Sequence, residues 1–135
     1  MLQRGLGVLL HLTSLPSAHG VGDLGPEAHA FAQWLAEAGA GTWQMLPLVP
    51  TEPGRGNSPY NSSSTFAGNP LLISPELLAQ DGLLTPADLA AAPEFPAGRV
   101  DYEAAWRWRG ELLRRAGRRA LDQFSLRQEI ERFAR

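Results

Sequence analysis

The sequence has no cysteine and no lysine among its 135 residues, and none of its apolar runs approaches the roughly 20 residues that cross a bilayer. Without cysteine there is neither a disulfide framework nor a thiolate metal site, and a reducing compartment, the cytoplasm, is the expected location. All 12 basic residues are arginine, which points to coding bias more than to mechanism. The histidines His11, His19 and His29 share no i, i+4 face and have no acidic triplet beside them, so no metal site is expected. Also missing are a Ser-His-Asp arrangement and a pair of facing carboxylates. Asp23, Glu27, Glu37 and Glu52 fall on turns or on a solvated helix face, and no catalytic residue can be assigned.

Charge is unevenly placed. Residues 1–100 hold three Arg against eight acids, a net of −5, whereas residues 101–135 hold nine Arg against six acids, a net of +3. A basic tail can signal nucleic acid, but here the arginines are interspersed with acids at helical spacing and lack interleaved aromatics. That is the pattern of a solvated helix face, so neither nucleic acid nor a membrane is an expected partner.

What the chain does have is loop chemistry, with 14 Gly and 11 Pro around a chain long enough for one hydrophobic core. The densest stretch is Asn57 to Pro70, where turn formers and hydroxyls surround one tyrosine and no residue reads as core. Neither helical nor strand periodicity is present, and Pro59, Gly68 and Pro70 punctuate the backbone, so an ordered loop is expected rather than a slack linker. Tyr60 is its sharpest feature. A tyrosine among small polar residues can lay its ring on a sugar face while its hydroxyl, with Ser58 and Asn57, meets sugar hydroxyls; the plainer alternative is an anchor packed on the protein itself.

Around that loop the pattern is α/β. Gly7 to Leu12 is a short apolar run of the kind a parallel strand covered on both faces shows. Pro26 opens a helix to Ala38 with Ala28, Phe31, Leu35 and Ala38 on one face and Gly39 as terminator, and Thr42 to Leu48 is a second apolar run, completing a βαβ unit. Ser74-Pro75 and Thr85-Pro86 each combine an N-cap with proline at the first helical position, predicting short helices over 75–80 and 86–91. Asp101 caps a longer helix over about 102–116, and Ser125 with Gln128 spells a capping box for a last helix bearing Leu126, Ile130 and Phe133. Two strands cannot protect their own edges, and the final helical pattern has no stop signal, so the chain reads as the front of something longer.

Two motifs admit other readings. Arg4 followed by the run Leu6 to Leu15 and the small residues after it has the outline of a secretory signal, although His11 and Thr13 interrupt it and a strand explains it equally well. Gly20-Val21-Gly22-Asp23-Leu24-Gly25 matches G-x-G-x-x-G between a strand and a helix, which raises a nucleotide-binding domain. The glycines, however, come about eight residues after the strand, and no acid ends the second strand to hold a ribose; a tight turn is the alternative. His11, at the carboxyl end of the first strand, lies where α/β active sites collect, against the reading of a satisfied structural histidine.

Four ordered motifs carry a family resemblance: Gly7-Val8-Leu9-Leu10-His11 with Thr13-Ser14-Leu15-Pro16, the Gly20 to Gly25 turn, Trp43-Gln44-Met45-Leu46-Pro47-Leu48, and Ser58-Pro59-Tyr60 through Phe66-Ala67-Gly68-Asn69-Pro70. Together they resemble the N-terminal segment of the 4-α-glucanotransferases, or amylomaltases, of glycoside hydrolase family 77. The resemblance implies the start of a (β/α)8 TIM barrel, its first two strands and the helix between them, plus part of an inserted helical subdomain. Residues 1–73 would form the barrel portion with a substrate loop at 51–70, and residues 74–135 an incomplete helical insertion. It further implies transfer of α-1,4-glucan segments between maltooligosaccharides with retention, no cofactor and no metal. Tyr60 would line the subsite of the transferred sugar, with Ser58 and Asn57 nearby. The catalytic carboxylates would lie in the missing C-terminal portion of the barrel, leaving this piece inactive alone. A non-catalytic glucan-binding module is the alternative of a different class. The segment Glu52-Pro53-Gly54-Arg55-Gly56 lacks the aromatic found there in some relatives.

Overall fold

The computed structural model describes residues 5–134. Strand β1, Leu6–Leu9, lies parallel to β2, Ala40–Gln44, with Val8 opposite Trp43 and Leu9 opposite Gln44. The connection between them is helix α1, Pro26–Glu37, which has proline in its first turn and ends where Gly39, at φ 77°, turns its N–H back to Ala36. α1 packs on β2: Phe31 meets Trp43 edge-on at 4.9 Å, and both flank a core of Leu12, Leu15, Ala28 and Leu72. The expected βαβ unit is therefore present, and the first part of the signal-like run, Leu6–Leu9, is a paired strand, followed by a short 3-10 turn at Leu12–Ser14.

Both strands end earlier than their apolar runs. β2 stops at Gln44 rather than Leu48, because Gln44 accepts the N–H of Leu10 as its last ladder bond and the chain then runs into Pro47. β1 is not covered on both faces as expected: Leu6 and Leu9, whose side chains leave opposite faces of the strand, are both exposed, while α1 packs on β2.

The rest is helical. α2, Pro75–Gln80, and α3, Pro86–Ala90, start on the Ser74 and Thr85 caps, and Thr85 and Asp88 exchange both bonds of a capping box. α4, Tyr102–Asp122, starts on Asp101, whose carboxylate accepts the N–H of Ala104 at 3.0 Å. It runs six residues past the expected end because Leu112, Ala116 and Ala120 continue one buried stripe through Gly117. As a consequence the Ser125 capping box does not form. α5, Phe124–Phe133, follows after the single extended residue Gln123, which leaves Ser125 inside the first turn.

One side chain ties these pieces together. Arg109 of α4 is 1% exposed and commits all five N–H donors to the fold: Nε to the His19 carbonyl, Nη1 to the Leu71 and Ile73 carbonyls, and Nη2 to the Val21 carbonyl and the Asp23 carboxylate. Asp23 is thus buried, not solvated, and its other oxygen accepts the N–H of Gly25 at 2.8 Å. The basic stretch is accordingly not wholly a solvated face. Arg115 and Arg119 also turn inward, both to Asp88 at the start of α3.

Candidate functional site

The G-x-G-x-x-G turn is filled by the protein itself. A Cβ on Gly20, at φ +83°, would strike the Phe95 ring; one on Gly22 would collide with the Leu12 carbonyl; one on Gly25 would collide with Ser74 Oγ. Each glycine is required by close packing, which leaves no open cradle for a phosphate and removes the basis of the nucleotide reading.

The Asn57 to Pro70 loop leaves from the carboxyl side of the sheet, and its order comes from hydroxyls rather than burial. Ser62 Oγ donates to the Pro50 carbonyl at 2.7 Å and accepts the Ser64 N–H, and Ser64 Oγ accepts the N–H groups of Phe66 and Ala67. The front of the loop is a short turn at Pro53–Arg55, where Arg55 pairs with Glu52 at 3.2 Å and its guanidinium donates to Asn61. Asn69 is the exception to the expectation of an unburied loop. It is enclosed, its amide oxygen caps the turn at Pro70–Leu72, and its N–H donates to the Leu48 carbonyl.

The three expected site residues fall within one turn of this braced segment. Asn57 adopts φ 52°, in the left-handed region, and its Oδ1 is enclosed without a partner. Ser58 Oγ accepts the Tyr60 N–H at 3.3 Å, which fixes the backbone from which the tyrosine projects. Tyr60 itself is 73% exposed, so its ring does not anchor the loop to the protein. Phe66, which the residue pattern did not single out for a role, is 100% exposed on the same loop.

Of the histidines, His19 is structural. Its ring stacks on Trp108 at 5.2 Å, its Nε2 meets Glu76 at 2.9 Å, and burial lowers its pKa below the usual imidazole value. His11 is 9% exposed and burial lowers its pKa as well; its Nδ1 is enclosed without a partner, as is that of His19, but unlike His19 it has no carboxylate on its other nitrogen among the described residues. Among the described residues no group of three or more His, Cys, Asp or Glu could hold a metal ion, and no helix is long and apolar enough to cross a membrane. Among the described residues a groove of about 860 Å³ lies between segments 13–21 and 93–100 and one of about 500 Å³ beside α2; Tyr60 lines neither. The arrangement on the loop offers an aromatic face, hydroxyls and an amide, which suits a polyhydroxylated ligand and supplies no acid or base.

The family model described as 4-alpha-glucanotransferase, glycoside hydrolase family 77, matches residues 10–135. The chain belongs to this family. It is 50% identical over 110 residues, 82% of this chain, to a 4-alpha-glucanotransferase of Aquifex aeolicus, of which it spans 22%. It is 48% identical over 98% of its length to one of Thermus thermophilus, spanning 25% of that protein. An amylomaltase of Streptococcus agalactiae, solved in complex with acarbose, superposes with a TM-score of 0.89 at 36% identity, over 97% of this chain and 26% of that one. The glucanotransferase segment here thus spans about a quarter of the length of these relatives, and its βαβ unit is that of the TIM-barrel amylomaltase fold.

Proposed function

We propose that these residues are the N-terminal part of a 4-α-glucanotransferase that moves α-1,4-glucan segments between maltooligosaccharides with retention, and that the Asn57 to Pro70 loop forms part of its sugar site. The reading is carried by the match of almost the whole chain to 4-alpha-glucanotransferases of other organisms. The exposed, backbone-fixed Tyr60 supports the loop's role, as does the acarbose bound by the similar amylomaltase of Streptococcus agalactiae. In this reading the Tyr60 ring lies on one face of the transferred glucose, and Ser58 and Asn57 stand beside its hydroxyls.

Retention requires two carboxyl groups, one forming the covalent glycosyl enzyme and one passing a proton to the leaving oxygen and taking it back from the acceptor hydroxyl. This chain's own buried acids are engaged elsewhere, Asp23 with Arg109 and Asp88 with Arg115 and Arg119, so that pair is assigned to the barrel beyond these residues. The division at 73/74 into barrel portion and helical insertion belongs to the same reading, as does a cytoplasmic location; the absence of cysteine and the bacterial relatives support the latter, although the Solanum tuberosum relative is named chloroplastic/amyloplastic. The test is to incubate the complete gene product with maltotriose. Glucose together with longer oligosaccharides is the expected outcome, and the appearance of neither would end the proposal.

A further inference from the structure

His11 stands two residues beyond the last residue of β1, on the edge of the sheet from which the Tyr60 loop also departs, because β1 and β2 are parallel with Leu9 opposite Gln44. Adjacent strands lie about 4.8 Å apart, so the two exits are neighbours. The segments that leave that edge carry unsatisfied polar atoms. Of the five enclosed side-chain atoms without a partner among the described residues, three, His11 Nδ1, Thr51 Oγ1 and Asn57 Oδ1, belong to the segments that leave it. Buried polar groups are paired in more than about nine cases in ten, so each of these atoms is a candidate for a partner supplied from outside the chain.

The chemistry of the imidazole narrows what that partner is. An enclosed N–H without an acceptor is costlier than an enclosed lone pair, so the enclosed Nδ1 carries the lone pair and Nε2 carries the proton. Burial favours the neutral ring. Nε2 is not among the enclosed unpartnered atoms and bonds to nothing among the described residues. We infer that His11 is a sugar-contacting residue: its Nε2–H donates to a hydroxyl of the glucose held against Tyr60, fixing that ring at the mouth of the sheet. This rests on the proposed role of the loop and adds a second, independent contact from the first strand.

The experiment uses the full-length enzyme, with His11→Leu and His11→Gln, and reads kcat/KM on maltotriose beside the melting temperature. Leu removes the donor together with the unsatisfied nitrogen, so kcat/KM should fall by about 10- to 100-fold without loss of melting temperature. Gln places an amide N–H near the Nε2 position and should recover most of the rate. Unchanged kinetics in His11→Leu would overturn the inference. So would an activity loss matched by a lowered melting temperature and not rescued by Gln, which is the signature of a packing role. If the unmodified enzyme does not disproportionate maltotriose, the proposed function fails instead, and the two failures are distinct.

Discussion

Replacing Arg109 by Met probes the central joint of this fold. Met keeps much of the apolar stem but removes five donors, stranding the Asp23 carboxylate, whose side chain is 7% exposed, with the Gly25 N–H as its remaining partner. Breaking a buried ion pair from one side costs about 3–5 kcal/mol, because the surviving charge is left without compensation. Four carbonyls, those of His19, Val21, Leu71 and Ile73, lose the same guanidinium, so the lower end of that range is a floor. The damage should be greatest nearby: segments 19–25 and 71–73 meet α4 through this side chain and the small cluster of Val21, Leu71 and Ala105, whereas α1 and the strands pack mainly in a second cluster. Hydrogen exchange followed by mass spectrometry on the full-length enzyme reads this directly, since the Leu24 N–H bonds the Leu72 carbonyl at 3.0 Å. Exchange of the 19–25 amides should accelerate by roughly 150- to 5,000-fold, with α1 little changed. Adding Asp23→Asn to Arg109→Met should recover part of the protection, because the stranded charge is gone. Protection within about threefold of wild type, or a double variant as poor as the two singles combined, would refute the reasoning.

Tyr60→Ala in the full-length enzyme should cut glucan transfer by at least about tenfold while Tyr60→Phe keeps a larger share, the ring being the main contact; equal kinetics for Ala and wild type would take Tyr60 out of the site. Gly22→Ala should destabilise by about 1–3 kcal/mol or more, because its Cβ meets the fixed Leu12 and Leu15 carbonyls, whereas Gly41→Ala, with nothing within 4 Å, should be near neutral; comparable melting temperatures for the two variants would contradict this. Arg119, Thr85 and Arg115 hold the Asp88 carboxyl well below the usual carboxylate range. A carboxylate with a depressed folded pKa contributes stability that is complete above its unfolded pKa, about 3.9, and is lost as pH falls towards the folded value. The stability gap between wild type and Asp88→Asn should therefore be full at neutral pH and narrow below about pH 4; denaturant titrations giving a constant gap down to about pH 3 would rule it out.

How much of this is legible in the sequence depends on range. Helix starts are readable at Ser74, Thr85 and Asp101 because a cap and the residues it serves lie within three positions of one another. Helix ends are less uniformly so: Gly39 closes α1 and α2 ends at Gln80 as expected, but α4 overruns its expected end near 116 because the buried stripe of Leu112, Ala116 and Ala120 continues through Gly117, and that stripe is decided by tertiary contact. Asp23 reads only as an acid on a turn, and its burial is not legible, because the cation it pairs with lies 86 positions away, beyond any local pattern. The glycine motif is legible as a demand for small residues, while what fills the space, Phe95, the Leu12 carbonyl and Ser74, comes from three separate parts of the chain.

The site loop shows the same division from the other side. Its composition announces order without burial, and the structure supplies the means, since Ser62 and Ser64 take up backbone groups that a buried loop would satisfy with secondary structure. Order made this way leaves the large side chains free, and Tyr60 and Phe66 stand out of a fixed backbone, largely or wholly uncovered by this chain. Exposing an aromatic ring to water is unfavourable in every state where it has no partner, so two rings left uncovered on a rigid loop are where a covering partner would gain most. For Tyr60 that partner is the sugar face proposed above.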